Sequence, residues 1–216
     1  MIKLAPSILS ADFANLGRDV KRVIAAGAQM IHVDVMDGHF VPNMSIGPQI
    51  VKSLRRDVKD AFLDVHLMIS EPEKYIDAFI DAGATLVNFH YEAEGDPEKL
   101  LRHIRERGVK SAITIKPKTS AEEIFKYLPL CDMVLVMSVE PGFGGQSFME
   151  NSLPKVKALR SEIDRLGLSC DIQIDGGINL ETGKLAADAG ATSLVAGTAV
   201  FGAPDIEERI KEFLKL

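Results

Sequence analysis

The chain has 216 residues, of which 46% are hydrophobic and 26% are charged, as is ordinary for a soluble globular protein. Its formal net charge of −6 argues against nucleic acid or an anionic membrane as the main partner, because both require a basic surface. There is no apolar run of transmembrane length and no signal-peptide pattern. Cys131 and Cys170 lack the spacing of a metal or disulfide framework, so we expect them to be reduced and buried near strand starts in a cytoplasmic protein.

Segments with the patterns of strands and helices alternate from one end of the chain to the other. Strands are predicted, in chain order, near Leu4–Leu9, Met30–Val35, Ala61–Leu67, Leu86–His90, Ser111–Ile115, Met133–Met137, Asp171–Asp175 and Ser193–Ala196. Amphipathic helices between them include Glu73–Ala82, Glu98–Arg107, Ala121–Tyr127 and Leu153–Leu166. Asp96 and Ser120 are predicted to cap helix starts. The glycines predicted to end helices are Gly27, Gly83, Gly108, Gly167 and Gly190.

Eight strands that alternate with helices predict a parallel sheet, because the helices make the crossover connections. The strand Met133–Met137 is apolar on both faces, as a parallel strand covered by helices should be. No Pro/Ser-rich linker or low-complexity segment divides the chain. We therefore predict one α/β domain over residues 1–216, a closed (β/α)8 TIM barrel, with an open doubly wound sheet as the alternative.

Polar side chains stand at the ends of several predicted strands, where barrel enzymes hold their catalytic groups. His32 and Asp34 lie two residues apart on one strand and therefore face the same way, and His66 and Asp175 end two other strands. Two imidazoles and two carboxylates suit a divalent cation such as Zn²⁺, Fe²⁺, Mn²⁺ or Co²⁺. The alternative for the first pair alone is a buried His–Asp hydrogen bond. His90 either joins this site or is a hydrogen-bonded wall residue, and we favour the wall.

Glycine-rich turns follow the last three predicted strands. Barrel enzymes often bind phosphate at this place, where glycine lets backbone amides approach an anion closely. The turns contain no Lys or Arg, so the amides and the Thr198 hydroxyl would have to hold the phosphate. The alternative for each turn is simply a tight strand-to-helix connection. The candidate residues are Gly142, Phe143, Gly144, Gly145, Gly176, Gly177, Gly197 and Thr198.

Four other side chains are candidates at the same end of the barrel. Met36, Met68 and Met137 form either an apolar cap that excludes water from a bound intermediate or part of the barrel core. Ser7 is expected to hydrogen-bond the substrate or the His/Asp cluster. We include Ser7 and His66 among the predicted substrate-binding residues.

Five segments of the chain together resemble the ribulose-phosphate 3-epimerase family in order and spacing, along nearly the whole length. They are Leu4–Phe13, His32–Gly38, Asp64–Met68, Pro141–Gln146 and Asp175–Ile178. The resemblance implies a phosphate-binding (β/α)8 barrel that interconverts D-ribulose 5-phosphate and D-xylulose 5-phosphate in the pentose phosphate pathway. It further implies a homo-oligomer and a phosphorylated ketose as the substrate. The metal ligands that it implies are His32, Asp34, His66 and Asp175.

Two positions differ from a common form of the family pattern. Glu140 stands where many members have Asn, and its role is open. Thr198 stands where Ser is usual, and it keeps the hydroxyl that a phosphate would need. A related enzyme acts on D-allulose 6-phosphate, and the motifs alone do not exclude that sugar.

Epimerisation beside a ketone requires one group to remove the carbon-3 proton and another to return a proton to the opposite face. Asp34 and Asp175 come from different strands and can flank a sugar. With the family's roles carried over, Asp34 takes the proton from ribulose 5-phosphate and Asp175 supplies one. The metal ion acts as a Lewis acid that stabilises the enediolate between the two steps.

Two other classes of function compete with this interpretation. One is a metal-independent phosphosugar isomerase or an aldolase-like lyase, for which Lys116 is the one Schiff-base candidate at a strand end. The other is a non-catalytic phosphosugar-binding module, which would need the glycine turns but not two opposed carboxylates. Metal content discriminates between the module and the epimerase.

Overall fold

The structure is a computed structural model that describes residues 2–216. Its strands are β1 (Lys3–Pro6), β2 (Ile31–Met36), β3 (Leu63–Met68), β4 (Leu86–His90), β5 (Lys110–Ile115), β6 (Met133–Met137), β7 (Asp171–Asp175) and β8 (Ser193–Ala196). All pair in parallel, in the order β1-β8-β7-β6-β5-β4-β3-β2. A bridge between Ser7 and His32 joins the two outer strands and brings the sheet close to a complete ring. The predicted (β/α)8 barrel is confirmed, and the open doubly wound sheet is wrong.

Helices cover the outside of the barrel and connect successive strands. They are α1 (Leu16–Ala25), α2 (Pro48–Asp57), α3 (Ile76–Asp81), α4 (Pro97–Glu106), α5 (Leu153–Arg165), α6 (Leu180–Asp188), α7 (Thr198–Phe201) and α8 (Ile206–Phe213). Short 3-10 helices fill the remaining connections. In residues 2–216, no helix combines the length and the apolar character needed to cross a bilayer.

The interior of the barrel is layered. An apolar cluster fills the layer nearer the strand starts, and it consists of Ala5, Met30, Leu86, Ala112, Met133 and Val195. Ala5 lies two residues before Ser7, and Met30 lies two residues before His32, so apolar and polar layers share the same strand faces. The apolar layer therefore closes the barrel below the polar strand ends and leaves those ends open to the mouth.

Most helix boundaries follow the predicted signals. Asp96 accepts hydrogen bonds from the backbone N–H groups of Glu98 (2.9 Å) and Lys99 (3.4 Å), which confirms it as a helix cap. Ser120 is the N-cap residue directly before a helix, as predicted, although its side chain makes no capping hydrogen bond. The predicted helix-ending glycines all have positive φ, and they are Gly27, Gly83, Gly108, Gly167 and Gly190.

Three predicted elements need correction. Strand β1 ends at Pro6 rather than Leu9, because the Ser7 hydroxyl accepts the Leu9 N–H and starts a 3-10 helix. The predicted helix Ala121–Tyr127 is a 3-10 helix, Ala121–Leu130, which contains a proline that has no backbone donor for a regular α-helix. The predicted helix Glu73–Ala82 is divided into a 3-10 turn and α3.

The two cysteines are free and buried, as predicted, and each lies just before a strand. Burial raises the pKa of Cys131 well above its usual value and that of Cys170 to about 12. Both thiols are therefore protonated and unreactive near neutral pH.

Candidate active site

Four side chains from β2, β3 and β7 converge at the mouth of the barrel. The candidate ligand atoms of His32, Asp34, His66 and Asp175 all lie within 4.8 Å of one another. Nε2 of His32 is 3.3 Å from Asp34 Oδ1, 3.3 Å from His66 Nδ1 and 3.9 Å from Asp175 Oδ2. Ligands about 2.1 Å from one metal ion lie ~3–4 Å from one another. The four side chains therefore fit a metal ion and could hold one.

Strand register produces this convergence. Asp34 on β2 lies opposite His66 on β3, and two positions earlier in the register His32 lies opposite Asp64. Because parallel strands end at the same edge, Asp175 at the end of β7 reaches the same place from across the ring. The structure thus brings together the four residues predicted as ligands.

A buried carboxylate behind the cluster orients His32. Asp64 Oδ2 lies 2.7 Å from His32 Nδ1 and also accepts a 2.9 Å hydrogen bond from Gln173 Nε2. Hydrogen bonding to Asp64 keeps an imidazole proton on Nδ1, so that Nε2 is the nitrogen that offers a lone pair to the cluster once the ring is neutral.

Ser7 orients the neighbouring carboxylate. Its hydroxyl donates a 2.6 Å hydrogen bond to Asp34 Oδ2, which leaves Oδ1 facing the two histidines. Of the two predicted roles of Ser7, the structure shows the hydrogen bond to the His/Asp cluster. The role in substrate binding stays a prediction.

The pKa values reflect the crowding of charge in a dry site. Burial opposes the charge on His32, but the carboxylates of Asp34 and Asp64 raise its pKa well above the usual value. Burial lowers the pKa of His66. Although burial favours the neutral form of Asp34, the two imidazoles lower its pKa. Burial and the Asp34 carboxylate raise the pKa of Asp175 to about 7. Without a metal ion, a proton on His32 therefore supplies the positive charge.

A cavity opens directly above this cluster. The predicted site residues that line it are Ser7, Asp34, Met36, Met68, Met137, Gly142, Phe143, Gly144, Gly145, Asp175, Gly176, Gly177, Gly197 and Thr198. His32 and His66 do not line the cavity, because both are fully buried below it. His66 is predicted to contact the substrate. However, its two ring nitrogens already face Asp34 and His90, so a substrate would have to reach a buried ring whose polar atoms have other neighbours.

The glycine turn after β7 is crowded by the fold itself. Gly176 and Gly177 have positive φ values of 122° and 63°. A Cβ on Gly176 would lie 2.5 Å from Val139 Cγ2, and one on Gly177 would lie 2.4 Å from the backbone nitrogen of Phe148. A tight connection therefore requires these glycines whether or not they also bind a ligand.

The turn after β8 differs from the turn after β7. Gly197 has a negative φ of −91°, and a Cβ there would lie 2.6 Å from the hydroxyl of Ser10. That hydroxyl is 3.4 Å from Thr198 Oγ1, across the cavity lining. Gly197 is thus crowded only by a polar side chain that itself faces the cavity. Its φ is not in the left-handed region that favours glycine.

The three predicted cap methionines form an apolar wall. Met36 and Met68 pack with Val41, and Met137 lies in a second small cluster. All three are at most 5% exposed, and all line the cavity. They are placed where a water-excluding cap would be needed, and that role stays a prediction.

Hydrogen bonds hold the loop after β6 in place at the mouth of the barrel. The Asn43 side chain donates a 2.7 Å hydrogen bond to the carbonyl of Gly142. Gln146 donates to the carbonyls of Glu140 (2.7 Å) and Phe143 (2.8 Å). The Glu140 side chain is exposed and does not line the cavity.

Lys116 also stays outside the cavity lining. Its ammonium group lies 3.7 Å from the centre of the Phe40 ring. This cation–π contact leaves no amine facing the cavity from the end of β5. The lyase alternative therefore loses its Schiff-base candidate.

Sequence reasoning missed several residues of the site. Leu9, Ser10, Val139, Gln146, Ile178 and Ala199 also line the cavity. Behind the cavity, Asp64 contacts His32, Gln173 donates to Asp64, and Glu92 contacts His90. Asp64 and Gln173 carried a usable signal, since each lies two residues before a predicted ligand on the same strand face.

Known proteins are similar to this chain over nearly its whole length. Residues 3–201 match the Ribulose-phosphate 3 epimerase family. The ribulose-phosphate 3-epimerase of Bacillus subtilis is 49% identical over 213 residues, which cover 98% of this chain and 98% of that protein. The one of Eremothecium gossypii is 51% identical over 217 residues, covering 96% and 89%. A cytoplasmic isoform from Oryza sativa is 43% identical over 217 residues, covering 99% and 93%.

A solved structure supports the fold independently. Phosphoribosyl anthranilate isomerase from Thermotoga maritima superposes with a TM-score of 0.70 at 19% identity, over 100% of this chain and 98% of that one. Fold and site together define a (β/α)8-barrel protein with a cavity and a possible metal site at the barrel mouth. The chain belongs to the ribulose-phosphate 3-epimerase family, and it is an isomerase that acts on carbohydrates.

We predict that Zn²⁺ binding weakens as the pH falls. His32 is protonated in the metal-free protein because its pKa is raised, and Asp175 becomes protonated below about 7, so a metal ion must displace these protons. Affinity should change about tenfold per pH unit for each displaced proton. Below about pH 7 the dependence should steepen, because Asp175 adds a second proton.

Competition with a chromophoric chelator between about pH 6 and about pH 8 measures this dependence. His103→Asn, which changes a histidine on the surface, should give the same profile. An affinity that does not depend on pH, after correction for the chelator, would contradict the protonation states assigned to the cluster.

Proposed function

We propose that this protein inverts carbon 3 of D-ribulose 5-phosphate to give D-xylulose 5-phosphate, with a bound divalent metal ion and two acid–base carboxylates. One observation carries the proposal. Asp34 and Asp175 line the same cavity from β2 and β7, which are separated in the ring by β1 and β8. Two carboxylates placed on different sides of one cavity suit a reaction that moves a proton on each face of one carbon.

The environments of the two carboxylates support different starting states. The pKa of Asp34 is lowered, so this group is ionised and able to accept a proton. In the metal-free site the pKa of Asp175 is raised to about 7, so this carboxylate has the higher proton affinity of the two and suits the protonating role. Such a separation of pKa values is typical of an acid–base pair. In this assignment Asp34 removes the proton from ribulose 5-phosphate, and Asp175 protonates the opposite face.

His32, Asp34, His66 and Asp175 would hold the metal ion. When bound, the ion supplies Lewis-acid stabilisation of the negative charge that develops on the substrate oxygens. Asp64 and Ser7 keep two of the ligands oriented, with their hydrogen bonds to His32 and Asp34. Elemental analysis would identify the metal ion as Zn²⁺, Fe²⁺, Mn²⁺ or Co²⁺.

The opposite wall of the cavity would receive the phosphate. In the part of the chain that the structure describes, no Lys or Arg side chain lines the cavity. Backbone amides of the glycine turns and the hydroxyls of Ser10 and Thr198 are therefore the groups available to the anion. Met36, Met68 and Met137 would exclude water from the reacting carbon.

We also propose that residues 1–216 act as one catalytic domain, located in the cytoplasm and assembled as a homo-oligomer. The similarity to a relative named a cytoplasmic isoform supports the location. Phe13 is 47% exposed and Met44 is 76% exposed, and apolar side chains of this kind are often covered by a second subunit. The reaction places the enzyme in the pentose phosphate pathway, as the family relationship suggests.

Exchange of the carbon-3 proton in D₂O separates the two carboxylates. Metal-loaded Asp175→Asn should exchange the carbon-3 proton of ribulose 5-phosphate with solvent without forming xylulose 5-phosphate, because Asp34 still serves its own face. Asp34→Asn should exchange xylulose 5-phosphate only. Turnover should fall by at least ~10²–10⁴-fold in each variant. Proton NMR reports both exchange and product.

The control is Asp60→Asn, the same change at an exposed position outside the cavity. It should epimerise like the wild type. If either metal-loaded cavity variant keeps near wild-type turnover, the two-base assignment is wrong.

Gly197→Ala tests the phosphate wall. The added methyl group would lie 2.6 Å from the Ser10 hydroxyl and displace it, so kcat/KM for ribulose 5-phosphate should fall by at least about tenfold, the loss of one anion contact. The low rate on free D-ribulose should change little, and the metal content should be unchanged. Steady-state kinetics with both sugars gives the comparison.

Gly47→Ala is the matched control, since a Cβ there meets no atom within 4 Å and the residue lies outside the cavity. Equal losses on the phosphorylated and the free sugar would show that Gly197 serves only the tight connection.

A further inference from the structure

A chain of hydrogen bonds runs away from the candidate metal site through His66. Nε2 of His66 lies 3.0 Å from Nε2 of His90, and Nδ1 of His90 lies 3.3 Å from Glu92 Oε2. Both histidine side chains are fully buried, and their rings stack with centroids 5.0 Å apart. Both nitrogens of His90 and Nε2 of His66 therefore have one specific neighbour each, whereas Nδ1 of His66 faces both Asp34 and His32 in the ligand cluster.

Glu92 is held as an acceptor at the far end. Its Oε1 accepts a 2.8 Å hydrogen bond from the backbone N–H of Lys116 and another from the Thr119 hydroxyl. Burial opposes ionisation, but hydrogen bonds from His90, Thr119 and Lys116 lower the pKa of Glu92 to about 2. An ionised carboxylate has no proton to give, so Nδ1 of His90 must donate to it.

The direction of one hydrogen bond then sets the next. A neutral imidazole that carries its proton on Nδ1 has a lone pair on Nε2, so His90 accepts from His66 through that atom. His66 must then carry its proton on Nε2. Its Nδ1, which lies 3.3 Å from His32 Nε2 and 3.2 Å from Asp34 Oδ1, then presents a lone pair to the ligand cluster, and it can accept from His32 when that ring carries a proton on Nε2.

We propose that His90 and Glu92 are positioning residues that hold His66 in the tautomer able to bind a metal ion through Nδ1. The inference rests on the metal site of the proposed function. The carboxylate that orients His66 is Glu92, which acts through His90. The carboxylate that orients His32 is Asp64, which contacts that ring directly. The two ligand histidines thereby present opposite ring nitrogens to the same point.

The reverse direction is disfavoured by the surroundings. It would place the lone pair of His90 Nδ1 against the Glu92 carboxylate and a proton of His66 inside the ligand cluster. The Phe40 ring covers His90 with centroids 4.8 Å apart, and Lys116 in turn covers Phe40. No other side-chain partner is within hydrogen-bond distance of His90 in residues 2–216, so the chain cannot be re-paired locally.

Glu92→Gln tests the direction of the chain. A Gln oxygen can keep the hydrogen bonds from Lys116 and Thr119, while its amide N–H can donate to His90 and reverse both links. Zn²⁺ affinity should fall by about 10–100-fold, measured by chelator competition on the full chain. Glu94→Gln makes the same change at an exposed position on the same loop, and it should bind Zn²⁺ like the wild type.

Nitrogen-15 NMR of the Zn²⁺-loaded wild type reads the tautomers directly and does not depend on a variant that folds. His66 should be protonated on Nε2 alone, and His90 on Nδ1 alone. In Glu92→Gln the proton of His90 should move to Nε2, a change that a merely structural loss of packing would not produce.

The outcomes separate the two proposals. Wild-type protein that binds no Zn²⁺ would overturn the metal site and this inference together. Wild-type binding combined with equal affinities of Glu92→Gln and Glu94→Gln would overturn the inference alone. A His90 proton on Nε2 in the loaded wild type would do the same.

Discussion

Four electron-rich atoms face one another within 4.8 Å at the mouth of this barrel, where water is largely excluded. Two belong to carboxylates and two to imidazoles, and such a group is stable only if positive charge lies among them. A proton on His32 can supply that charge, as the raised pKa of this residue shows. A divalent cation supplies more of it, and it also leaves every ligand in the form that binds best.

Apolar side chains of the barrel lie both below and above this cluster of charged groups. The apolar layer that includes Met30 and Leu86 closes the lower interior, so the cluster has a rigid, dry base. The methionine wall and the cavity lie above it. Asp64 and Glu92 approach from behind, and each accepts from a histidine without adding a proton to the cluster. The same charge balance that holds the site together therefore leaves Asp34 and Asp175 with different proton affinities.

The sequence could predict those features of the site that follow from the spacing of residues along single strands. His32 and Asp34 share a face because they are two residues apart, and parallel strand ends must meet, so the four ligand candidates could be predicted to converge. Asp64 reaches His32 only through the register of β2 on β3, which no single strand reveals.

Other features depended on tertiary geometry that a linear pattern does not contain. Glu92 lies in a loop, and its role depends on how that loop folds back onto β5. Residues Ala121–Leu130 have an amphipathic pattern, but the backbone there forms a 3-10 helix around Pro129. The alternation of strands and helices predicted the barrel because crossover geometry allows few arrangements.

The most direct test of the central claim is exchange of the carbon-3 proton of ribulose 5-phosphate in D₂O, with wild-type protein before and after rigorous removal of metal. We expect rapid exchange and xylulose 5-phosphate formation in the metal-containing protein. Both should be lost after chelation and recovered when a divalent ion is restored. Full exchange and turnover in protein shown by elemental analysis to hold no metal would contradict it.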